Sequence, residues 1–108
     1  MEIIDRVLLR LQDDEPDKEL VDELVQTAKD RILLRVGSTD TKQFPESLET
    51  IAVEVTVKAW RRQYFEGITS EGVDSINTSF VQDILAEYAT ELDMWKSTNV
   101  DKPKVRFL

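Results

Sequence analysis

Apolar residues recur every three or four positions over most of the chain, a spacing that predicts amphipathic helices. The first such segment covers about residues 2–12 and ends in an acidic stretch with Pro16. The second runs from about Asp17 to Val36. Acidic residues in its first turn, arginines in its last turn and Gly37 just beyond match the charge and capping preferences of a helix. This second segment has the clearest helical pattern in the chain.

The third segment, from about Pro45 to Phe65, carries two competing patterns. Its residues from Ile51 to Ala59 are rich in branched side chains at alternate positions, which is typical of a β-strand. The same stretch also contains two apolar stripes at helical spacing. About twenty residues without a turn signal is long for a strand. We therefore predict a helix that is apolar on most of its surface, and such a helix is buried centrally or shared with another subunit.

One of the two stripes is a candidate for the shared surface, because it holds the aromatic residues that often anchor interfaces. We call it the aromatic stripe. With the arginine that adjoins it, the candidate subunit interface is Val53, Val57, Trp60, Arg61 and Tyr64.

A small-residue loop, 67–78, separates the third segment from the last one, and a short hairpin fits within its length. Ser79 and Gln82 then have the spacing of a capping box, and apolar residues repeat at helical spacing to about Lys96. No helical pattern follows. The sequence therefore predicts an all-α fold: one domain over residues 1–96, a small bundle of four helical segments with a long loop before the last helix, and an extended, flexible C-terminal tail over 97–108.

Composition excludes several classes of function. A chain of 108 residues fits one domain with a single modest core. The absence of His and Cys excludes disulfides, imidazole or thiolate metal sites and His-dependent triads. The acidic start does not fit a signal peptide, and no apolar run is long enough for a membrane span. We therefore predict that the chain has neither. The net charge of −8 opposes general binding to nucleic acid. We therefore expect no catalysis, no metal, no cofactor and no membrane partner.

The charged clusters favour solvated surfaces over chemical sites. Acidic residues between Asp13 and Glu23 lack the spacing and glycine of an EF-hand. Glu87 and Glu91 lie one turn apart without the apolar surroundings that an acid/base pair needs. Arg61 and Arg62 fit two interpretations equally well. They complement the C-terminal end of their helix, or they contact DNA or an anionic partner.

The passage from Trp60 to Phe80, WRRQYFEGITSEGVDSINTSF, joins a basic and aromatic helix end to a small-residue loop and a new helix. In order and spacing it resembles the helix–loop–helix junction of the small head–tail connector (adaptor) proteins of tailed bacteriophages. That family has a passage of the type R-x-x-x-x-E-G-I-x-S-E, which residues 61–71 match here. The resemblance covers most of the chain.

The resemblance implies a structural protein that forms a homo-oligomeric ring beneath the phage portal. The ring extends the DNA channel toward a downstream head-completion or tail protein, and DNA passes through its lumen without specific binding. The implied location is the head–tail junction of the virion of a phage or prophage, after assembly in the host bacterial cytoplasm. An acidic wall suits such a channel, because it repels phosphates and lets DNA slide.

The resemblance also implies that the loop after the central helix and the C-terminal tail help join the ring to the portal. A basic and apolar tail on an acidic domain is itself suited to docking. The candidate portal contacts are Gly67, Ser70, Glu71, Gly72, Lys102, Lys104, Arg106, Phe107 and Leu108. An alternative function is a small acidic helical protein-interaction module or regulator, which does not need a loop of that length. Helix-turn-helix DNA binding is disfavoured, since neither long helix presents a basic face.

Overall fold

A computed structural model describes residues 2–38, 43–65 and 81–99, with the side chains of residues 64 and 65 excepted. The regular structure in these ranges is entirely helical, and they contain no strand. The helices are α1 (Ile3–Arg10), α2 (Lys18–Val36), α3 (Glu49–Phe65) and α4 (Ala89–Asn99). One-turn 3-10 helices occur at Gln12–Asp14, Glu46–Leu48 and Ala86–Tyr88. The predicted all-α bundle is confirmed.

The ends of α2 follow from its local sequence. Asp17 is the N-cap, and its side chain accepts a hydrogen bond of 2.9 Å from the backbone N–H of Glu19. Gly37 adopts φ +72°, the left-handed conformation that favours glycine. Its N–H and that of Ser38 donate to the carbonyls of Leu34 and Leu33, which closes the helix with a Schellman motif. The predicted bounds of this helix are confirmed to within one residue.

The helix α1 is shorter than the predicted segment of about residues 2–12. It ends at Arg10, and the 3-10 helix Gln12–Asp14 follows. Leu11 is fully buried at this junction, and its carbonyl accepts from the N–H of Asp14 at 2.8 Å. The tighter turn reverses the chain within a few residues, so that α1 and α2 can pack together and against α3.

The prediction of a helix in the third segment is confirmed, since α3 contains every one of the alternating valines. The alternation does not make a strand because α3 is covered on most sides: Val53 and Val55 are fully buried and Val57 is only 8% exposed. Thr56 is buried as well. Its hydroxyl donates to the carbonyl of Ala52 at 2.7 Å, so burial leaves this polar group satisfied.

The segment after the loop, residues 81–99, packs against the first three helices, and we call it the last helical segment. Its residues 81–85 are α-helical, the 3-10 turn Ala86–Tyr88 follows, and α4 completes it. The predicted end near Lys96 is too early, because α4 continues to Asn99, whose Nδ2 donates to the carbonyl of Trp95 at 2.9 Å. Trp95 Nε1 in turn donates to Ser47 Oγ at 2.8 Å, which ties α4 to the turn before α3.

Candidate assembly surfaces

The structure brings the aromatic stripe of α3 together inside the core of the same chain. Val53 is fully buried, Trp60 is 5% exposed, and both belong to one hydrophobic cluster with residues of α1, α2 and the last helical segment. Of the candidate interface, Arg61 has an exposed side chain, while the side chain of Tyr64 lies outside the described residues. The role of this stripe as a subunit interface stays a prediction. In this conformation its valines and tryptophan offer almost no surface to a partner.

A polar cluster joins α3 to the 3-10 turn of the last helical segment. Tyr88 Oη donates to Glu54 Oε1 at 2.8 Å, and Lys58 Nζ lies 2.9 Å from Glu87 Oε1. The same ammonium group lies 4.8 Å from the centroid of the Tyr88 ring, a cation–π distance. Each of the three charged side chains, those of Glu54, Lys58 and Glu87, therefore has a polar partner. The cluster therefore holds two elements in register that are some thirty residues apart in the chain.

The cluster raises the pKa of two of its members, Lys58 and Tyr88. Hydrogen bonds with Tyr88 and Glu87 raise the pKa of the Lys58 ammonium above its ordinary value of 10.5. Burial raises the pKa of the Tyr88 phenol above its ordinary value of 10.0; the hydrogen bond with Lys58 opposes this rise, and the hydrogen bond to Glu54 adds to it. Both groups therefore keep their protons at neutral pH. The arrangement is a structural clamp between helices, because neither group is poised to exchange a proton near pH 7.

Two further ion pairs cross between helices at the surface. Arg35 of α2 lies 2.8 Å from Asp93 of α4, and Arg62 of α3 lies 3.6 Å from Asp83. Arg62 also stands in the last turn of α3, where a cation complements the helix dipole. Of the two interpretations of the Arg61-Arg62 pair, the intramolecular one therefore describes Arg62. Arg61 remains exposed and is available to a partner.

A surface groove of about 490 Å³ lies between α2 and the last helical segment. Its lining is mainly apolar and includes two arginines. The lining residues are Arg31, Leu34, Arg35, Gln82, Leu85, Ala86 and Ala89. Leu34 is 70% exposed, the highest value among the large apolar residues that the structure describes. We call this hollow the Leu34 groove.

The apolar pattern of the sequence does not predict the Leu34 groove, although one signal for it is present. The buried residues of α2 step from Val21 through Ile32 to Val36, and Leu34 falls outside that stripe. An apolar residue off the buried stripe of an amphipathic helix is expected to be exposed, although a single exposed leucine is common on protein surfaces. The far wall of the groove had no signal, because its alanines are part of an ordinary helical sequence.

The acidic stretch is a solvated surface, as its sequence pattern favours. Asp13, Asp14 and Glu15 are exposed, and no group of His, Cys, Asp or Glu suited to a metal ion occurs among residues 2–38, 43–65 and 81–99. Glu87, which lies one turn from Glu91, forms an ion pair with Lys58.

The candidate portal contacts lie outside the described residues. This holds for the loop positions from Gly67 to Gly72, for the tail positions from Lys102 to Leu108, and for the hairpin that the loop length accommodates. Ser79 of the predicted capping box lies outside them too, whereas Gln82 is exposed at the Leu34 groove.

Within the described residues, no helix has both the length and the apolar character needed to cross a bilayer.

A family model described as phage gp6-like head-tail connector protein matches residues 6–96, which is most of the chain and includes large parts of the helices α1 to α4. Comparisons with curated proteins and with solved structures gave no match.

Proposed function

Because the chain belongs to the phage gp6-like head-tail connector protein family, we propose that it forms a homo-oligomeric ring beneath the portal and extends the DNA channel toward the tail. The observation that carries the proposal is the family match over residues 6–96, which includes all but the edges of the helical bundle. The members of this family are structural proteins of the virion. Its role implies contacts with other proteins of the phage head and tail.

The charge of the chain supports a channel that passes DNA without holding it. The net charge is −8, and the exposed acidic residues of the 3-10 helix Gln12–Asp14 add to the negative surface. Binding to a phosphate backbone depends on Lys and Arg that displace counterions, and an acidic wall does the opposite. DNA in such a lumen would meet repulsion on all sides and slide freely.

Docking on the portal is assigned to the loop after α3 and to the C-terminal tail. The tail is locally basic, with Lys102, Lys104 and Arg106, and it ends in an apolar Phe107-Leu108 pair. A segment of this composition gains affinity by burying its apolar end and by pairing its cations with an acidic partner. The same logic predicts that docking weakens as salt rises.

The proposal is tested by mixing the purified chain with purified portal rings from the phage or prophage that encodes it. We expect the two to co-sediment, and we expect electron microscopy to show a second ring coaxial with the portal and open at its centre. A chain that does not bind the portal, or that binds it as isolated subunits without a ring, contradicts the proposal. The chain lacking residues 100–108 is tested in parallel; it should keep its helical spectrum and should no longer bind the portal.

A further inference from the structure

We propose that the C-terminal segment 100–108 folds back onto an acidic and aromatic surface of its own chain and stays bound there until the portal displaces it. The inference rests on the portal-docking role proposed for the tail, and it adds how a free subunit holds that tail. Three features of the surface carry it: its charge, its aromatic side chains and its position where α4 ends.

The surface consists of two hollows that share Gln43 and Phe44, and we call it the Phe44 surface. The first hollow, of about 360 Å³, lies between the end of α4 and the turn before α3. The second, of about 330 Å³, lies between α1, α2 and the start of α3. Because the two hollows have residues in common, an extended segment can pass from one into the other.

The Phe44 surface is acidic. The carboxylates that line it are Glu46 in the first hollow and Glu2, Asp22 and Glu49 in the second. None of the four makes an ion pair with a residue that the structure describes. Lys29 is the one cation among the described lining residues, and its ammonium lies 5.8 Å from the centroid of the Phe44 ring. The carboxylates therefore outnumber the cations, and they are free to pair with a basic segment.

Aromatic side chains supply the apolar part of the first hollow. Phe44 and Trp95 are half-buried, and each packs against the core while keeping part of its ring exposed. The hydrogen bond from Trp95 Nε1 to Ser47 Oγ fixes the indole in place. Fixed, partly exposed rings of this kind can cover an apolar side chain or stack on a guanidinium.

The tail has the composition that such a surface binds. It carries three cations against the single carboxylate of Asp101, and it includes the apolar pair Phe107-Leu108. Binding would pair the cations with the free carboxylates and would place apolar side chains against the aromatic rings.

Charge also excludes the other combinations of segment and surface. The segment 66–80, which lies outside the described residues as well, holds three carboxylates and no lysine or arginine. The Phe44 surface therefore repels it. The Leu34 groove has two arginines and no carboxylate among its described lining residues, so it repels the tail.

The tail starts at the edge of the Phe44 surface. Asn99, the last residue of α4, lines the first hollow. The nine residues that follow span up to about 30 Å when extended, which is enough to run through both hollows. A short tether gives a local concentration of about a millimolar, so a weak contact is sufficient. The contact has to be weak, since the portal displaces it. It therefore opens before the bundle melts and adds little to thermal stability.

The first test measures the mobility of the tail amides in the full chain by nitrogen-15 relaxation. At low salt their order parameters should exceed about 0.6, and salt of about 0.5 M should bring them below that value. Asp22→Lys with Glu46→Lys changes one carboxylate of each hollow and should release the tail at low salt. A wild-type tail as mobile as the tail of this variant overturns the inference.

Asp13→Lys with Glu23→Lys is the matched control. Both residues are exposed, neither lines the Phe44 surface, and the double change alters the net charge by the same amount. The tail should stay ordered in this variant. If it is released here too, the net charge of the chain holds the tail and the Phe44 surface does not, so the inference is wrong.

A covalent test shows which chain's tail is bound, and it covers the case in which the lysines disturb the fold. The chain has no cysteine. Under mild oxidation at about micromolar concentration, Glu46→Cys with Lys104→Cys should form a disulfide within one chain about tenfold faster than Thr90→Cys with Lys104→Cys.

Thr90 suits this comparison because it is exposed on the helix from which the tail departs, about 140° round the axis from Trp95. The tail can reach it without lying on the Phe44 surface. Equal rates of disulfide formation would mean that the tail has no preferred position. Disulfide-linked dimers would place the tail on a second copy. Either result overturns the inference.

Portal binding separates this inference from the proposed function. Because the Phe44 surface competes with the portal for the tail, Asp22→Lys with Glu46→Lys should bind portal rings about three- to fivefold more tightly than the wild type and the control variant. Unchanged or weaker binding overturns the competition. A wild-type chain that binds no portal, but whose tail is ordered in the relaxation test, would remove the portal role and leave the fold-back contact standing.

Discussion

Replacing Tyr88 with Phe tests whether the polar cluster clamps the last helical segment onto α3. The change removes only the hydroxyl, which donates to Glu54 Oε1 at 2.8 Å. The ring stays, and with it the burial of the side chain and the contact with Lys58 Nζ at 4.8 Å. The measured loss therefore reports the interactions of this hydroxyl, with Glu54 and with Lys58.

The expected loss follows from the charge and burial of the acceptor. Hydrogen bonds to charged groups stabilise proteins by about 1.5–3 kcal/mol. Glu54 is only half-buried, so water can solvate its carboxylate once the hydroxyl is gone. We therefore expect the free energy of unfolding to fall by about 1–1.5 kcal/mol, at or just below the lower end of that range. In a domain of this size, each kcal/mol lost from the free energy of unfolding lowers the melting temperature by roughly 4–8 °C.

The assay is urea unfolding followed by circular dichroism at neutral pH, for the wild type, Tyr88→Phe, Glu54→Gln and the double variant. If the hydrogen bond carries the effect, the two single losses should not add, and the coupling should be at least about 0.5 kcal/mol. Additive losses would refute the reasoning, and so would a Tyr88→Phe variant as stable as the wild type.

The pH dependence gives a second check with a definite sign. The folded state raises the pKa of both Tyr88 and Lys58, so it holds their protons more tightly than the unfolded chain does. The resulting stability is fully present below pH of about 10 and is lost as the pH rises through the raised folded values. The stability gap between wild type and Tyr88→Phe should therefore be constant near neutral pH and should narrow above about pH 10. A gap that widens in alkali would contradict the assignment.

Four shorter predictions concern other parts of the chain. Gly37→Ala should lower the free energy of unfolding by about 1 kcal/mol, measured by urea unfolding, because φ +72° is strained for alanine; unchanged stability would contradict the left-handed cap. Asp17→Ala should cost about 1 kcal/mol in the same assay through loss of the N-cap. Val57→Asp should abolish the helical spectrum, since it places a charge in the core, whereas the exposed Arg61→Asp should not; a folded Val57→Asp chain that fails only to assemble would support the stripe as an interface. Deleting residues 100–108 should leave thermal unfolding unchanged, and a large loss of stability would show that the tail packs on the bundle.

Local sequence signals were sufficient at the ends of α2, where the determining interactions lie within one or two turns. Asp17 and Gly37 mark the ends of α2 because a cap bonds to backbone groups two to five residues away. The end of α4 was missed by three residues, since the helix continues through polar residues to Asn99, beyond its last apolar position. Composition excluded imidazole and thiolate chemistry outright, because no fold can supply residues that the chain lacks.

The tertiary structure decided which apolar residues are covered and which stay exposed. Periodicity shows that α3 has two apolar stripes, but it contains no information on what packs against each. The bundle covers Val53 and Trp60 and leaves Leu34 and Leu9 exposed. Likewise, the bond between Tyr88 and Glu54 joins residues 34 positions apart, and no local pattern encodes such a pair. The sequence by itself determined helices, caps and excluded chemistry, since these depend on neighbours along the chain. The core, the clamp and the Leu34 groove were decided by packing between distant segments, because burial depends on which helices meet in space.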